Sequence, residues 1–216
     1  MKYINFDTNK FNFKKLISDN FDVYDLEYLH KSNEFNYTNL FERKNDQSTH
    51  WHKKFYELVR TSEFSNLYYD FIKDIVKPLY SDKIVYQSIP TFRLHFPNNI
   101  AVGEYHRDRD YRDGVWANSV KELNYFLPIT RAVNTNTIWV ESEDGRADYY
   151  PINANYGELV KWDGSNLKHG NEKNLELTSR ISMDFRVIDF SNYTPSTKGS
   201  INMGSKFEIG GYYSLM

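Results

Sequence analysis

Three groups of polar residues in the second half of the chain have types and an order that could support metal and anion chemistry. They are His106-Arg107-Asp108, then His169, then Arg180-Ile181-Ser182. Two imidazoles and a carboxylate can occupy one triangular face of a ferrous ion, which leaves the opposite positions open to a co-substrate and oxygen. An arginine with a nearby hydroxyl offers a dicarboxylate a bidentate partner and one further donor. We therefore predict that His106, Asp108 and His169 form a catalytic iron centre, with Arg180 and Ser182 binding a dicarboxylate co-substrate.

The spacing of the first two ligands fits a strand. Residues two apart in a strand point the same way with Cα atoms roughly 6.5 to 7 Å apart, so His106 and Asp108 could converge on one ion while Arg107 faces away. His169 comes much later, just after the turn Asp163-Gly164-Ser165. Taken alone, the His106–Asp108 pair is more typical of a surface ion pair. The metal prediction therefore depends on the downstream residues.

The segment that begins at Arg180 alternates polar and apolar residues. Arg180, Ser182, Asp184 and Arg186 would share one face of a strand. If that face lines a barrel, Arg180 can pair with the far carboxylate of the co-substrate; if it faces water, the strand is an ordinary one. Arg186 would lie roughly 20 Å from Arg180 by strand rise. We expect it to pair with Asp184 or Asp189 instead.

Further pocket candidates carry weaker signals. Asn124 is a candidate for a third co-substrate contact, and Arg93 for a pocket position, although ordinary strand roles are open to both. Trp139, Glu141 and Ser142 could form a substrate wall, because a ring beside a carboxylate suits a polyol or an amine.

Composition limits the classes of partner. The 216 residues suffice for a single domain with its own core. Lys and Arg total 27 against 29 Asp and Glu, and the resulting charge of −2 gives no attraction to nucleic acid or an anionic membrane. Cysteine is absent, which excludes disulfides, thiolate zinc sites and a cysteine nucleophile. No apolar run has the length of a signal peptide or a bilayer span. We expect a cytoplasmic protein whose partners are small molecules.

The sequence pattern changes near residue 83 from helical periodicity to short segments. Residues 10–80 have mainly helical periodicity, with one helix over about Thr49 to Arg60 and another that we expect Ser62 to cap. Short segments bounded by turns follow, and we predict strands at 84–89, 91–96, 101–106, 122–127, 137–141, 157–162 and 179–188. The prediction is one domain, 1–216, mainly β with N-terminal helices: helical support over 1–82, a sandwich or jelly-roll core over 83–190, and a tail or flap over 191–216.

With these motifs in order, the chain resembles the iron(II)/2-oxoglutarate-dependent oxygenases over roughly 91–188. A longer set of segments is similar to the oxygenase-type proteins associated with streptomycin and related aminoglycoside biosynthesis. Those segments are Gly103–Asp108, Trp139–Ser142, His169–Asn171 and Ser179–Arg186.

The resemblance implies a double-stranded β-helix, a cupin-like jelly roll whose lumen holds Fe(II). It also implies 2-oxoglutarate and O2 as co-substrates, oxidative decarboxylation to succinate, and hydroxylation of a polar small molecule such as an amino sugar, polyol or amino acid. Desaturation, ring closure and epimerisation are open alternatives within that family. Two further hypotheses are a cupin-type sugar isomerase or epimerase and a non-catalytic sugar-binding jelly roll.

Overall fold

The computed structural model describes residues 1–32, 48–101, 104–111, 121–196, 198–200 and 204–216. Its longer helices are α1 Phe13–Phe21, α2 His50–Leu58 and α3 Ser62–Phe71. Its strands are β1 Lys2–Asn5, β2 Ile84–Gln87, β3 Thr91–His95, β4 Glu122–Pro128, β5 Ile138–Val140, β6 Tyr150–Pro151, β7 Glu158–Trp162, β8 His169–Asn171, β9 Arg180–Asp189 and β10 Tyr213–Leu215. The fold is mainly antiparallel sheet. In the part of the chain that the structure describes, no helix is long and apolar enough to cross a membrane.

The larger sheet is organised around its longest strand. Seven strands pair antiparallel in the order β1-β7-β4-β9-β2-β10, with β3 also on β9. One edge of β9 pairs with β4 from Pro128↔Ser182 to Glu122↔Ile188. Its other edge pairs with β3 at its beginning and with β2 at its end. The ten residues of β9 therefore connect most of the sheet.

A second sheet, in the order β6-β5-β8, brings the distal histidine into place. His169 opens β8 and pairs with Val140 of β5. An isolated bridge joins His169 to His106. This pairing and the bridge therefore bring together His106 and His169, two of the residues predicted to bind metal.

The alternation along β9 sorts its side chains as predicted from the sequence. Ile181, Met183, Phe185 and Val187 are fully buried in the core that the helices share with the sheet. Aromatic rings fill this core: Phe55 of α2, for example, stacks on Phe92 of β3 with ring centroids 4.3 Å apart. The face that carries Arg180 and Arg186 lines a cavity. Because adjacent strand residues point to opposite sides, one strand supports both the core and the site.

Several predicted boundaries are corrected by the structure. Thr61, not Ser62, caps α3, and its hydroxyl accepts a bond from the backbone N–H of Phe64. Residues 102 and 103 of the predicted strand 101–106 lie outside the described residues, and the rest of that segment contributes only the bridge at His106. The segment assigned to helical support begins with a strand, since β1 pairs with β7.

The C-terminal segment is also part of the fold. β10 pairs with β2 from Tyr213↔Gln87 to Leu215↔Val85. The buried Tyr213 hydroxyl donates to the carboxylate of Glu122 on β4. The end of the predicted tail is therefore a strand of the main sheet.

Candidate metal centre

Backbone hydrogen bonds place the two histidines side by side. The N–H of His106 donates to the carbonyl of His169 at 2.9 Å, and the N–H of His169 donates to the carbonyl of His106 at 2.9 Å. Their ring centroids lie 4.5 Å apart. This close approach results from backbone pairing between segments that are distant in the sequence.

Asp108 reaches the histidines from a turn and not from a strand. It opens the 3₁₀ turn Asp108–Tyr111, and its backbone N–H donates to the carbonyl of Gly164 at 3.0 Å. The predicted convergence of His106 and Asp108 is confirmed, but strand alternation is the wrong reason for it. Gly164 belongs to the turn that precedes His169. The same turn therefore fixes the backbone of Asp108, so the positions of Asp108 and His169 depend on each other.

The donor atoms are spaced to share one ion. Asp108 Oδ1 lies 3.7 Å from His106 Nε2 and 4.0 Å from His169 Nε2. All three atoms lie within 4.8 Å of one another. Two ligands that are each about 2.1 Å from one first-row metal ion can be no more than about 4.2 Å apart, and both nitrogen–oxygen distances meet this limit. The nitrogen and oxygen donors suit Fe(II) and its divalent neighbours.

Hydrogen bonds to carbonyl groups set the tautomers. His106 Nδ1 lies 2.9 Å from the carbonyl oxygen of Glu104, and His169 Nδ1 lies 2.9 Å from that of Leu167. A carbonyl oxygen can only accept, so each Nδ1 carries the proton and each Nε2 keeps a lone pair. Those lone pairs are the ones available to the ion, as in metal sites whose histidines are oriented by a partner on the other nitrogen.

The second oxygen of Asp108 is fully engaged by protein donors. Arg186 approaches Oδ2 through Nε at 3.0 Å and through Nη2 at 2.9 Å, and Asn124 Nδ2 donates to the same atom at 2.8 Å. The prediction that Arg186 pairs with Asp184 or Asp189 is wrong. The prediction considered only backbone positions along the strand. The long side chain of Arg186 instead reaches Asp108 on a separate segment.

Burial and neighbouring charges set the protonation of the triad. Burial alone would raise the pKa of Asp108, but the Arg186 guanidinium and the two imidazoles hold it well below its usual value. Burial lowers the pKa of His169 from 6.5 to about 4, against a smaller opposing effect of the Asp108 charge. Near neutral pH the buried pair therefore has the protonation that a metal requires, a carboxylate and a neutral imidazole.

The triad opens into a cavity whose wall includes Arg180 of the predicted clamp; Ser182 is not among the described residues that line it. The empty space measures about 520 Å³, including the part open to solvent, and Arg180 lies in its wall. Arg180 is only 2% exposed; its Nε donates to the carbonyl of Asn136 at 3.0 Å and its Nη1 to Ser182 Oγ at 2.7 Å. Because Ser182 accepts from Arg180, its own hydroxyl proton is free to point elsewhere.

No protein-family model matches the chain. The streptomycin biosynthesis protein StrG of Streptomyces griseus is 37% identical over 185 residues, which cover 81% of this chain and 80% of StrG. The chain belongs to the StrG family.

Solved structures give weaker likenesses to this StrG-family chain. AviO1 from Streptomyces viridochromogenes Tue57 has a TM-score of 0.47 at 15% identity, covering 88% of this chain and 89% of AviO1. A nickel complex of the non-heme monooxygenase ThoJ has a TM-score of 0.47 at 11% identity, covering 86% of this chain and 71% of ThoJ.

Asn124 lies beside Asp108 in a role that the sequence did not predict. Its amide nitrogen donates to Asp108, whereas its buried Oδ1 has no hydrogen-bond partner in the described part of the chain. The amide of Asn124 fits over Gly164, where a Cβ would lie 2.5 Å from Nδ2. Asn124 therefore contacts Asp108, which is itself a predicted metal ligand. A contact between Asn124 and the co-substrate remains a prediction.

The structure does not bring the predicted substrate wall to this cavity. Glu141 is buried and accepts bonds from the backbone N–H groups of Lys168 at 2.6 Å, Gly145 at 3.1 Å and Ala147 at 3.2 Å. Glu141, Trp139 and Ser142 are absent from the described residues that line the cavity. The carboxylate instead supports the loop that leads into His169.

Sequence reasoning missed the surroundings of Arg186. Its Nη1 donates to the hydroxyl of Tyr212 at 3.0 Å and to Gln87 Oε1 at 3.4 Å, and its Nε lies 3.6 Å from Glu122 Oε1. The one available signal was that Arg186 shares the polar face of β9 with Arg180. Its partners lie far away in sequence and could not be inferred from spacing.

Proposed function

We propose that this protein is an iron(II)/2-oxoglutarate-dependent oxygenase with a jelly-roll core, which converts 2-oxoglutarate to succinate and hydroxylates a polar small molecule. The arrangement of His106, Asp108 and His169 is the observation that carries the proposal. Each histidine lies against a carbonyl oxygen through its Nδ1, and both Nε2 atoms lie within 4.0 Å of Asp108 Oδ1. Three protein ligands on one side of an ion leave positions for co-substrate and oxygen.

Different residues of the cavity would have different roles in binding. His106, His169 and Asp108 Oδ1 would hold the iron, which supplies the activation of oxygen. Arg180, already oriented by Asn136 and Ser182, would bind the far carboxylate of 2-oxoglutarate, with the Ser182 hydroxyl as an additional donor. The Trp162 ring packs edge-on to His169 with centroids 4.7 Å apart, which shields that ligand from water.

Two unpartnered acceptor oxygens support a substrate that carries hydrogen-bond donors. Asn124 Oδ1 and Asp184 Oδ1 are both buried without a hydrogen-bond partner among the residues that the structure describes, and both side chains line the cavity. A buried acceptor left unpaired costs about 1–3 kcal/mol, which a hydroxyl or ammonium group would recover. All oxygens of 2-oxoglutarate can only accept at neutral pH, so this donor would come from the substrate or from water. A polyol, amino sugar or amino acid would meet the requirement.

Turnover of the co-substrate tests this function. The protein incubated with Fe(II), 2-oxoglutarate, ascorbate and oxygen should form succinate, measured by mass spectrometry, and addition of polyols and amino sugars should accelerate it. Asp108→Ala should abolish succinate formation and metal binding. Asp19→Ala is a suitable control, because Asp19 forms an exposed ion pair with Lys15 on α1.

The same assay separates the alternatives. A cupin-type isomerase would alter a sugar without consuming 2-oxoglutarate, and a sugar-binding jelly roll would bind its ligand equally well after Asp108→Ala. An iron-loaded protein that binds the metal but leaves 2-oxoglutarate untouched with every substrate class would refute the proposal.

A further inference from the structure

We propose that Arg186 is a positioning residue for the metal ligand Asp108, and that Tyr212 near the C-terminus holds Arg186 in place. The inference rests on the metal site of the proposed function. It does not require that 2-oxoglutarate be the co-substrate.

The hydrogen bonds to Asp108 distinguish its two oxygens. Oδ2 accepts from Arg186 Nε and Nη2 and from Asn124 Nδ2, all between 2.8 and 3.0 Å. Oδ1 faces the two histidines. A carboxylate oxygen with three donors has little capacity left for a cation. Asp108 is therefore set to bind through Oδ1 alone, which leaves one more position on the ion for exchangeable ligands than bidentate binding would.

The position of Arg186 is itself determined by its surroundings. The side chain is only 15% exposed, and its third nitrogen, Nη1, donates to the Tyr212 hydroxyl at 3.0 Å. Glu122 Oε1 lies 3.6 Å from its Nε, so two carboxylates balance the guanidinium. A planar guanidinium can bind Asp108 on one edge and Tyr212 on the other, whereas a lysine ammonium cannot reproduce both edges.

Tyr212 connects this arrangement to the C-terminal strand. It immediately precedes β10, its carbonyl accepts from the Ser88 N–H at 2.9 Å, and its side chain is buried. The pairing of β10 with β2 thus determines where the Tyr212 hydroxyl lies. The C-terminal segment consequently contributes to the metal site although it supplies no ligand.

Metal affinity measured without 2-oxoglutarate tests the inference. Isothermal titration with Mn(II) should give dissociation constants about 10 to 100 times larger for Arg186→Gln, the range typical when a partner of a metal ligand is removed. Arg186→Lys should recover only part of the loss. Tyr212→Phe, which removes one hydroxyl, should weaken Mn(II) binding by about 2- to 10-fold.

Arg146→Gln is the control. Arg146 is not among the described residues that line the cavity, and its side chain, 58% exposed, pairs with Glu143 at 3.3 Å. It should leave the Mn(II) affinity unchanged. Circular dichroism melting of the metal-free variants separates loss of the fold from loss of the site.

Co(II) absorption provides a second readout, because band intensities respond to coordination number. Arg186→Gln should change the Co(II) spectrum and Arg146→Gln should not. Wild-type affinity and spectrum in folded Arg186→Gln would overturn this inference and leave the metal site intact. Failure of the wild-type protein to bind Mn(II) would overturn both proposals.

Discussion

Gly164→Ala offers a steric test of how Asp108 is held. A Cβ at this position would lie 2.5 Å from Asn124 Nδ2 and 2.6 Å from its Cγ, whereas ordinary contacts begin at 3.4 Å. The carboxamide would have to retreat by about 1 Å, and because side-chain packing tolerates little overlap it would leave its 2.8 Å bond to Asp108 Oδ2. No positive φ is involved, so the backbone can accept alanine.

The size of the effect follows from the bond that is lost. A hydrogen bond to a charged group contributes about 1.5–3 kcal/mol. Each 1.4 kcal/mol corresponds to about a tenfold change in an equilibrium constant. If the whole contribution supports the ligand geometry, Mn(II) affinity should fall by about 10- to 100-fold. The free energy of unfolding of the metal-free protein should fall by a similar amount, about 1.5–3 kcal/mol, because the same hydrogen bond is lost from the folded state.

A double-mutant cycle tests whether Gly164→Ala lowers Mn(II) affinity through Asn124. Asn124→Ala removes both the obstacle and the donor, so adding Gly164→Ala to it should cause no further loss of Mn(II) affinity. Titration calorimetry on the wild type, both single variants and the double variant gives the coupling energy. Additive losses, or an unchanged affinity in Gly164→Ala, would show that the contact between Asn124 and Asp108 does not support the metal ligand.

Two further predictions concern stability. The neutral His169 of the folded metal-free protein has a pKa near 4 against 6.5 when unfolded. The unfolded chain therefore takes up the proton first, and stability should fall as the pH drops from 6.5 to 4 by up to about 1.4 kcal/mol per pH unit. In urea unfolding with EDTA, His169→Gln should show a shallower pH slope by up to one proton, and an equal slope would contradict the assignment. Tyr213→Phe leaves the buried Glu122 carboxylate without its hydroxyl donor and should cost about 1–3 kcal/mol in urea unfolding; Tyr24→Phe, at a fully exposed ring, should cost nothing.

Local patterns in the sequence determined much of the fold. The alternation from Arg180 to Val187 predicted a strand with one apolar face in the core and one polar face, and left open whether the polar face lines a cavity or meets water. The helical periodicity predicted α2, observed over His50–Leu58. These features depend on the direction of neighbouring side chains, which the period of a helix or strand fixes locally. The triad could likewise be recognised from residue type and chain order, because the chemistry of imidazole and carboxylate ligands belongs to the side chains themselves.

Only the tertiary structure decided how these groups are held. Asp108 is placed by a 3₁₀ turn bonded to Gly164, and its second oxygen by Arg186, seventy-eight positions away. Tyr212, from a segment with no clear pattern, completes this arrangement through β10. Such contacts arise when sheet pairing brings distant segments together, and long side chains then reach partners that strand spacing alone does not indicate. The sequence thus predicted which residues could bind the metal, and the fold determined which atoms are free to do so.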